Sequence, residues 1–134
     1  MARPVLVDTS VWIDFFQGEK TSLVQKLADL LKDDRVCTAG IIRAELLSGT
    51  RHEKEYRTLA NTLFAVPVLH EPEDLWDRIA HYRFRLAHRG IQASIPDLII
   101  AVLAEHHRCP LLTQDKTFSS FTRVIPFRLQ ESAS

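Results

Sequence analysis

Four acidic residues stand where chemistry is easiest to build. Asp8 ends the apolar run Val5 to Val7, and Glu45 lies among Ile41, Ile42, Leu46 and Leu47. Asp97 opens the apolar stretch that starts at Leu98, and Asp115 closely follows Leu111 and Leu112. A carboxylate beside residues destined for a core is costly to bury unpaired, because lost hydration disfavours its charged form. Two such charges about 4 Å apart repel by roughly 4 kcal/mol at an effective dielectric near 20. Four converging acids therefore call for a divalent cation, and oxygen ligands select Mg²⁺ or Mn²⁺. Zinc would ask for His or Cys at ligand spacing. His106 and His107 are adjacent on a helix, diverge by about 100° and are read as non-ligands. Cys37 and Cys109 lie far apart without a Cys-x-x-Cys pattern and read as buried free thiols.

Each acid alone has a structural alternative. Asp8 could cap the helix after it, and Asp97 could serve the first turn of its own helix. Glu45 could pair with Arg43, and Asp115 could be a turn residue. A purely structural account needs all four at once.

The elements that must position these acids are legible as alternating patterns. Short apolar runs at Val5 to Val7, Arg35 to Thr38, Ala65 to Leu69 and Pro110 to Thr113 read as buried strands, with a weaker one at Arg123 to Phe127. Leu23, Leu27, Leu30 and Leu31 share one helical face. Trp12, Phe15 and Phe16 place a short helix after Asp8, and further helices are expected at about Ala39–Ser48, Glu53–Leu63, Glu73–Arg89 and Ile95–His107. Gly49 and Gly90 suit helix ends, and Ser94 with Pro96 suits a helix start. The fold class is α/β: a parallel sheet of about four to five strands between layers of helices, joined by right-handed crossovers. In such folds the ligand site lies beyond the carboxyl ends of the strands, where Asp8 and Asp115 stand.

The 134 residues make one domain, with residues 130–134 expected as a polar tail. Seventeen basic residues balance seventeen acidic ones, so any nucleic-acid contact must use a local patch rather than the whole-molecule field. The start of the chain lacks a signal-peptide pattern, and the apolar run from Leu98 to Ala104 is too short to span a bilayer. The expectation is a cytoplasmic protein without membrane contact.

Four fragments carry a resemblance: Val-Asp-Thr-Ser-Val-Trp-Ile-Asp-Phe-Phe from Val7, Ala-Glu-Leu-Leu-Ser-Gly from Ala44, Ile-Pro-Asp-Leu-Ile-Ile-Ala from Ile95, and Leu-Leu-Thr-Gln-Asp-Lys-Thr-Phe from Leu111. In this order and spacing, covering nearly the whole chain, they resemble VapC-type PIN domains, the ribonuclease toxins of VapBC toxin–antitoxin pairs. The resemblance implies the PIN-domain fold, with Asp8, Glu45, Asp97 and Asp115 in the places of the metal-binding acids. Thr9, Ser10 and Thr113 match hydroxyl positions that orient acids or metal-bound waters. Asp14 matches the motif too, but its place late in a short helix suits a structural hydrogen bond. One position departs: the family often has another acid where this chain has Thr117, which weakens a second metal site.

The implied chemistry is hydrolysis of RNA phosphodiesters by an endonuclease, leaving 5′-phosphate and 3′-hydroxyl ends. Mg²⁺ or Mn²⁺ activates water and stabilises the in-line transition state, so no side chain acts as nucleophile. Asp97 or Asp115 would orient or deprotonate the water. Arg78 and Arg85, on a cationic stripe with His81 and His88, are candidate phosphate contacts, joined by Arg43, Arg51 and Lys116. The alternative for that stripe is a solvated face. The resemblance also implies a homodimer and a VapB-type antitoxin. Trp12, Phe15 and Phe16 would offer that partner apolar surface, and the acids would accept its basic side chain; the alternative is that all three rings are core.

Other classes fit less well. A response-regulator receiver needs an acceptor Asp after its third strand, where this chain has Val68, Leu69 and His70, and an Asp-x-Asp phosphotransferase fails at Ser10. A non-catalytic RNA-binding PIN module is the remaining alternative, though it has no need of four acids.

Overall fold

The protein is described here by a computed structural model covering residues 3–131. Part of the expected polar tail, residues 132–134, lies outside the described residues.

Four parallel strands form one sheet in the order β3-β2-β1-β4. They are β1 (Val5–Val7), β2 (Val36–Ala39), β3 (Val68–Leu69) and β4 (Leu111–Leu112). Every residue of β1, β2 and β4 is buried. Consecutive burial means that both faces are covered, as a parallel sheet requires and as unbroken apolar runs signal. β1 is central, with Leu6 opposite both Cys37 and Leu111.

Seven helices flank the sheet among the described residues: α1 (Thr9–Phe16), α2 (Ser22–Lys32), α3 (Gly40–Ser48), α4 (Glu53–Phe64), α5 (Leu75–His88), α6 (Ile95–His107) and α7 (Thr117–Phe121). In α2, Leu27 and Leu30 are buried and Leu23 and Leu31 pack beside them. Thr21 caps its start by accepting from the Val24 amide, which satisfies an amide that the helix itself cannot. α6 runs over the expected residues. Its seven residues 98–104 are all buried, so it has no polar face over that span and must lie inside the domain. Gly90 follows α5 with φ +73, a conformation that favours glycine, whereas Gly49 has an ordinary φ of −81 and needs no special residue.

One expected strand is absent and another is shorter than its apolar run. Arg123 to Phe127 forms no strand; Val124, Ile125 and Phe127 are buried, yet the chain turns there, and only Leu129 makes a bridge, to Leu111. Charged Arg123 and donor-less Pro126 interrupt any ladder. The run at Ala65 to Leu69 contributes two strand residues, because Pro67 interrupts it. Cys37 and Cys109 are free and buried, as expected. No helix among the described residues is long and apolar enough to cross a membrane.

Candidate active site

The sheet ends β1 and β4 abruptly, and the polar residues that follow meet. Asp8, 7% exposed, is the only buried charged residue among those described. Its Oδ1 accepts the Thr9 amide at 2.8 Å, so it caps α1 as the simple reading allowed. Its Oδ2 accepts the Ser10 hydroxyl at 3.1 Å and the Thr113 hydroxyl, from beyond β4, at 2.8 Å. Capping accounts for one of these bonds. The other two hold the carboxylate in one orientation.

Glu45 reaches the same place from α3. Ile42 and Leu46, four apart, bury the inner face of that helix and leave Glu45 at its exposed edge. The Thr9 hydroxyl donates to Glu45 Oε1 at 2.8 Å, linking α1 to α3. The alternative Glu45–Arg43 pair does not form. Asp97 enters from the first turn of α6, where its amide donates to the capping Ser94 hydroxyl at 3.2 Å. It is half-buried. Asp115 is exposed, its amide donating to Thr113 Oγ1 at 3.0 Å and its Oδ1 accepting the Thr117 amide at 2.9 Å. Asp115 thus adopts the turn role as well, and Thr117 serves it through its backbone.

Two of these carboxyls feel the charges of neighbouring acids. Burial pushes the Asp8 carboxyl above its usual range, and the nearby charge of Glu45 adds to that, against hydrogen bonds from Thr113, Ser10 and Thr9. Burial likewise raises Asp97, with the charges of Asp115, Asp8 and Glu45 adding to it. Among the described residues the ion pairs are Arg57–Glu53, Arg78–Asp74 and Arg78–Glu105, none involving these four acids. Asp8 and Asp97, their proton affinity raised by burial and by neighbouring acids, together with Glu45 and Asp115 and no cationic side chain paired to them among the described residues, fit a hard divalent cation.

Gln114 is a residue that sequence reasoning passed over. Its Nε2 donates to the Ser10 carbonyl at 3.2 Å and to Asp14 Oδ2 at 3.0 Å, tying the loop after β4 to α1. Asp14 therefore has the structural hydrogen bond expected of it. Gln114 precedes Asp115, which was the available signal.

The basic residues divide. Arg85, Arg51 and Lys116 are exposed, and none has a carboxylate partner among the described residues. Arg43 is half-buried and donates to the Leu63 carbonyl at 3.1 Å in the last turn of α4, so part of its donor capacity closes that helix. Arg78 is corrected: Glu105 holds it at 2.6 Å, and Tyr82 donates to the same carboxylate at 2.7 Å. It lines a cleft of about 850 Å³ with Arg3, Arg35 and Pro110, which precede strands, at the opposite end of the sheet from Asp8.

Of the three aromatic rings on α1, Trp12 is fully buried and offers no surface. Phe16, 40% exposed, stacks on it with centroids 5.8 Å apart, and Ile13 beside it is similarly open. Phe15 is half-buried. The three-way crowding resolves into one core ring and a partly open edge.

His106 and His107 do converge, contrary to the expectation from their helical divergence. Their rings stand 5.0 Å apart at 85°, and His70, after β3, completes a group. The 100° separation applies at the backbone; at the end of α6 the rings swing together over His70. A partner 36 positions away cannot be read from a helical wheel.

The PIN-domain family model matches residues 5–124. Ribonuclease VapC17 of Mycobacterium tuberculosis is 34% identical over 99 residues, covering 72% of this chain and 73% of that protein. Ribonuclease VapC11 of the same organism is 27% identical over 124 residues, 90% of this chain and 92% of that one. Among solved structures, DNA-bound VapBC from Salmonella typhimurium aligns with a TM-score of 0.78 at 19% identity, over 98% of this chain and 100% of that chain. VapBC-1 from nontypeable Haemophilus influenzae aligns at 0.76 and 22% identity, over 97% and 98%. Those likenesses establish the fold, and the family model with the curated relatives establishes the lineage: this chain belongs to the PIN-domain family, among the VapC ribonucleases.

Proposed function

We propose that this protein is an endoribonuclease dependent on Mg²⁺ or Mn²⁺, acting as the toxin of a type II toxin–antitoxin pair. The observation that carries the reading is Asp8: a buried carboxylate held by three donors, beside the charge of Glu45, with no cationic side chain paired to it among the described residues.

Asp8, Glu45, Asp97 and Asp115 would hold the cation. When bound, it supplies positive charge to the phosphodiester under attack and makes water more acidic. The protein's own groups do the rest. Thr9 fixes Glu45 while Ser10 and Thr113 fix Asp8, so the ligand oxygens are oriented before any cation arrives. Asp97 or Asp115 orients or deprotonates the attacking water, and the products carry 5′-phosphate and 3′-hydroxyl ends. Of the candidate phosphate contacts, Arg51, Arg85 and Lys116 are exposed and available to steer the RNA backbone.

The VapBC complexes among the structural neighbours support a VapB-type antitoxin as partner. A basic side chain from that partner entering the acid cluster would take the cation's place. The exposed edge formed by Ile13 and Phe16 is the adjoining apolar contact. A homodimer, the commonest closed assembly, completes the reading.

The test is cleavage of RNA by purified protein with Mg²⁺, with EDTA, and with Mg²⁺ restored in excess. The reading expects activity, loss and recovery, with 5′-phosphate ends. RNA binding without cleavage under every metal condition would favour a non-catalytic RNA-binding PIN module.

A further inference from the structure

We propose that His70, His106 and His107 form a second metal site, selective for Zn²⁺ and separate from the acid cluster. One ring nitrogen from each residue lies within 4.8 Å of the other two. The rings are mutually near-perpendicular: His70 and His107 centroids are 4.7 Å apart at 89°, His106 and His107 5.0 Å at 85°, and His70 and His106 6.3 Å at 83°. The rings meet edge to face rather than stacking, with one nitrogen of each near the other two.

Zinc binds imidazole nitrogen at about 2.0–2.1 Å, which places tetrahedral ligand atoms roughly 3.4 Å apart. The observed separations are within about 1.5 Å of that. His70 and His106 are exposed and His107 half-buried, so small side-chain rotations close the gap without moving the core.

The hydrogen bonds supply lone pairs. His107 Nε2 lies 2.8 Å from the His70 carbonyl, which can only accept, so Nε2 carries the proton and Nδ1 the lone pair. Such an outer hydrogen bond is the usual partner of a metal-ligating histidine. His106 Nδ1 lies 3.1 Å from Arg78 Nη1, which can only donate, so that nitrogen also holds a lone pair. Arg78 keeps Glu105 at 2.6 Å and Asp74 at 3.7 Å when His106 turns to a metal. Neither His70 ring nitrogen has a hydrogen-bond partner among the described residues.

The two centres differ in place and chemistry. Asp97 is in the first turn of α6 and His106 in its last, about 13 Å apart along the helix axis. Imidazoles suit zinc, whereas carboxylates suit Mg²⁺ and Mn²⁺. Zinc here would tie the loop after the two-residue edge strand β3 to the end of α6.

The test uses untagged full-length protein in excess Mg²⁺, titrated with Zn²⁺ by calorimetry and with Co²⁺ by visible absorption. We expect one zinc equivalent, a raised melting temperature, and a Co²⁺ spectrum of nitrogen ligation. His70→Ala with His107→Ala should weaken zinc binding by more than about 100-fold, beyond the usual cost of losing an outer partner. The single variant His70→Gln, changed in an exposed loop, keeps the test open if the double variant misfolds. Absence of saturable zinc uptake by the wild type would overturn the site. Equal zinc affinity in a folded histidine variant would do the same, by placing the metal elsewhere.

Discussion

The Thr113 hydroxyl donates to Asp8 Oδ2 at 2.8 Å, joining the ends of two neighbouring strands whose residues are 105 positions apart. This bond and the one from Ser10 fix the direction of a buried carboxylate, and the Thr113 oxygen also accepts the Asp115 amide at 3.0 Å. One hydroxyl thus orders two of the four acids.

Thr113→Val should therefore keep the fold and raise the Mg²⁺ concentration needed for half-maximal RNA cleavage by roughly 10- to 100-fold, the usual cost of losing an outer partner. Thr113→Ser should recover most of it. An unchanged Mg²⁺ dependence in the valine variant would detach Thr113 from the site.

Asp8 bears on stability in the opposite sense from most acids. Its folded pKa is raised, first by burial and then by Glu45, so the folded state binds more protons than the unfolded chain. The relevant window starts near the ordinary Asp value, about 3.9, and ends at the raised folded value. Stability of metal-free protein falls as pH rises through it. Asp8→Asn removes that dependence while keeping a good helix cap. With chelator present, melting curves should show the variant at least as stable as wild type at pH 7, and Mg²⁺ should raise the wild type alone. A variant less stable than metal-free wild type at neutral pH would mean that Asp8 is mainly a structural acid.

Much of this was legible because local and long-range signals agreed. Ser94, Pro96 and the apolar stretch after Asp97 each describe one feature of α6, and its observed bounds match. Val5 to Val7 followed by Asp8 marks a strand end and, at that end, a candidate ligand. What could not be read depends on distant partners. Arg78 looks like a free cation on its own helix, but Glu105 claims it from α6. His70 turns two diverging histidines into a cluster. Arg123 to Phe127 has the composition of a strand, yet its buried side chains pack from a turn, because Leu129 rather than this run reaches β4.

The aromatic residues of α1 should separate in mutagenesis. Trp12→Ala empties a fully buried site and should cost about 3–5 kcal/mol of stability, read by urea unfolding. Phe16→Ala should cost far less and instead weaken antitoxin binding. Unaltered antitoxin affinity in a folded Ile13→Ala, Phe16→Ala variant would remove this edge from the interface.

Thr38 is fully buried in β2, and its hydroxyl has no hydrogen-bond partner among the described residues. Replacing an unsatisfied polar group by a methyl of similar shape should help, so Thr38→Val is expected to add roughly 1 kcal/mol. The urea midpoint checks it, and a lower midpoint would imply that the hydroxyl has a partner in solution.

The central claim is that the four acids form one cation-dependent centre for cutting RNA. Asp97 tests it best, because its carboxyl feels Asp115, Asp8 and Glu45 together, while the Asp97 amide that caps α6 on the Ser94 hydroxyl is kept when the carboxyl becomes an amide. The measurement is the single-turnover rate of RNA cleavage by wild type and Asp97→Asn, each purified free of metal and supplied with Mg²⁺. The account predicts cation-dependent cleavage by the wild type and a rate at background for the variant, with circular dichroism of the two indistinguishable. Cleavage by Asp97→Asn at the wild-type rate, with the same Mg²⁺ dependence, would contradict it.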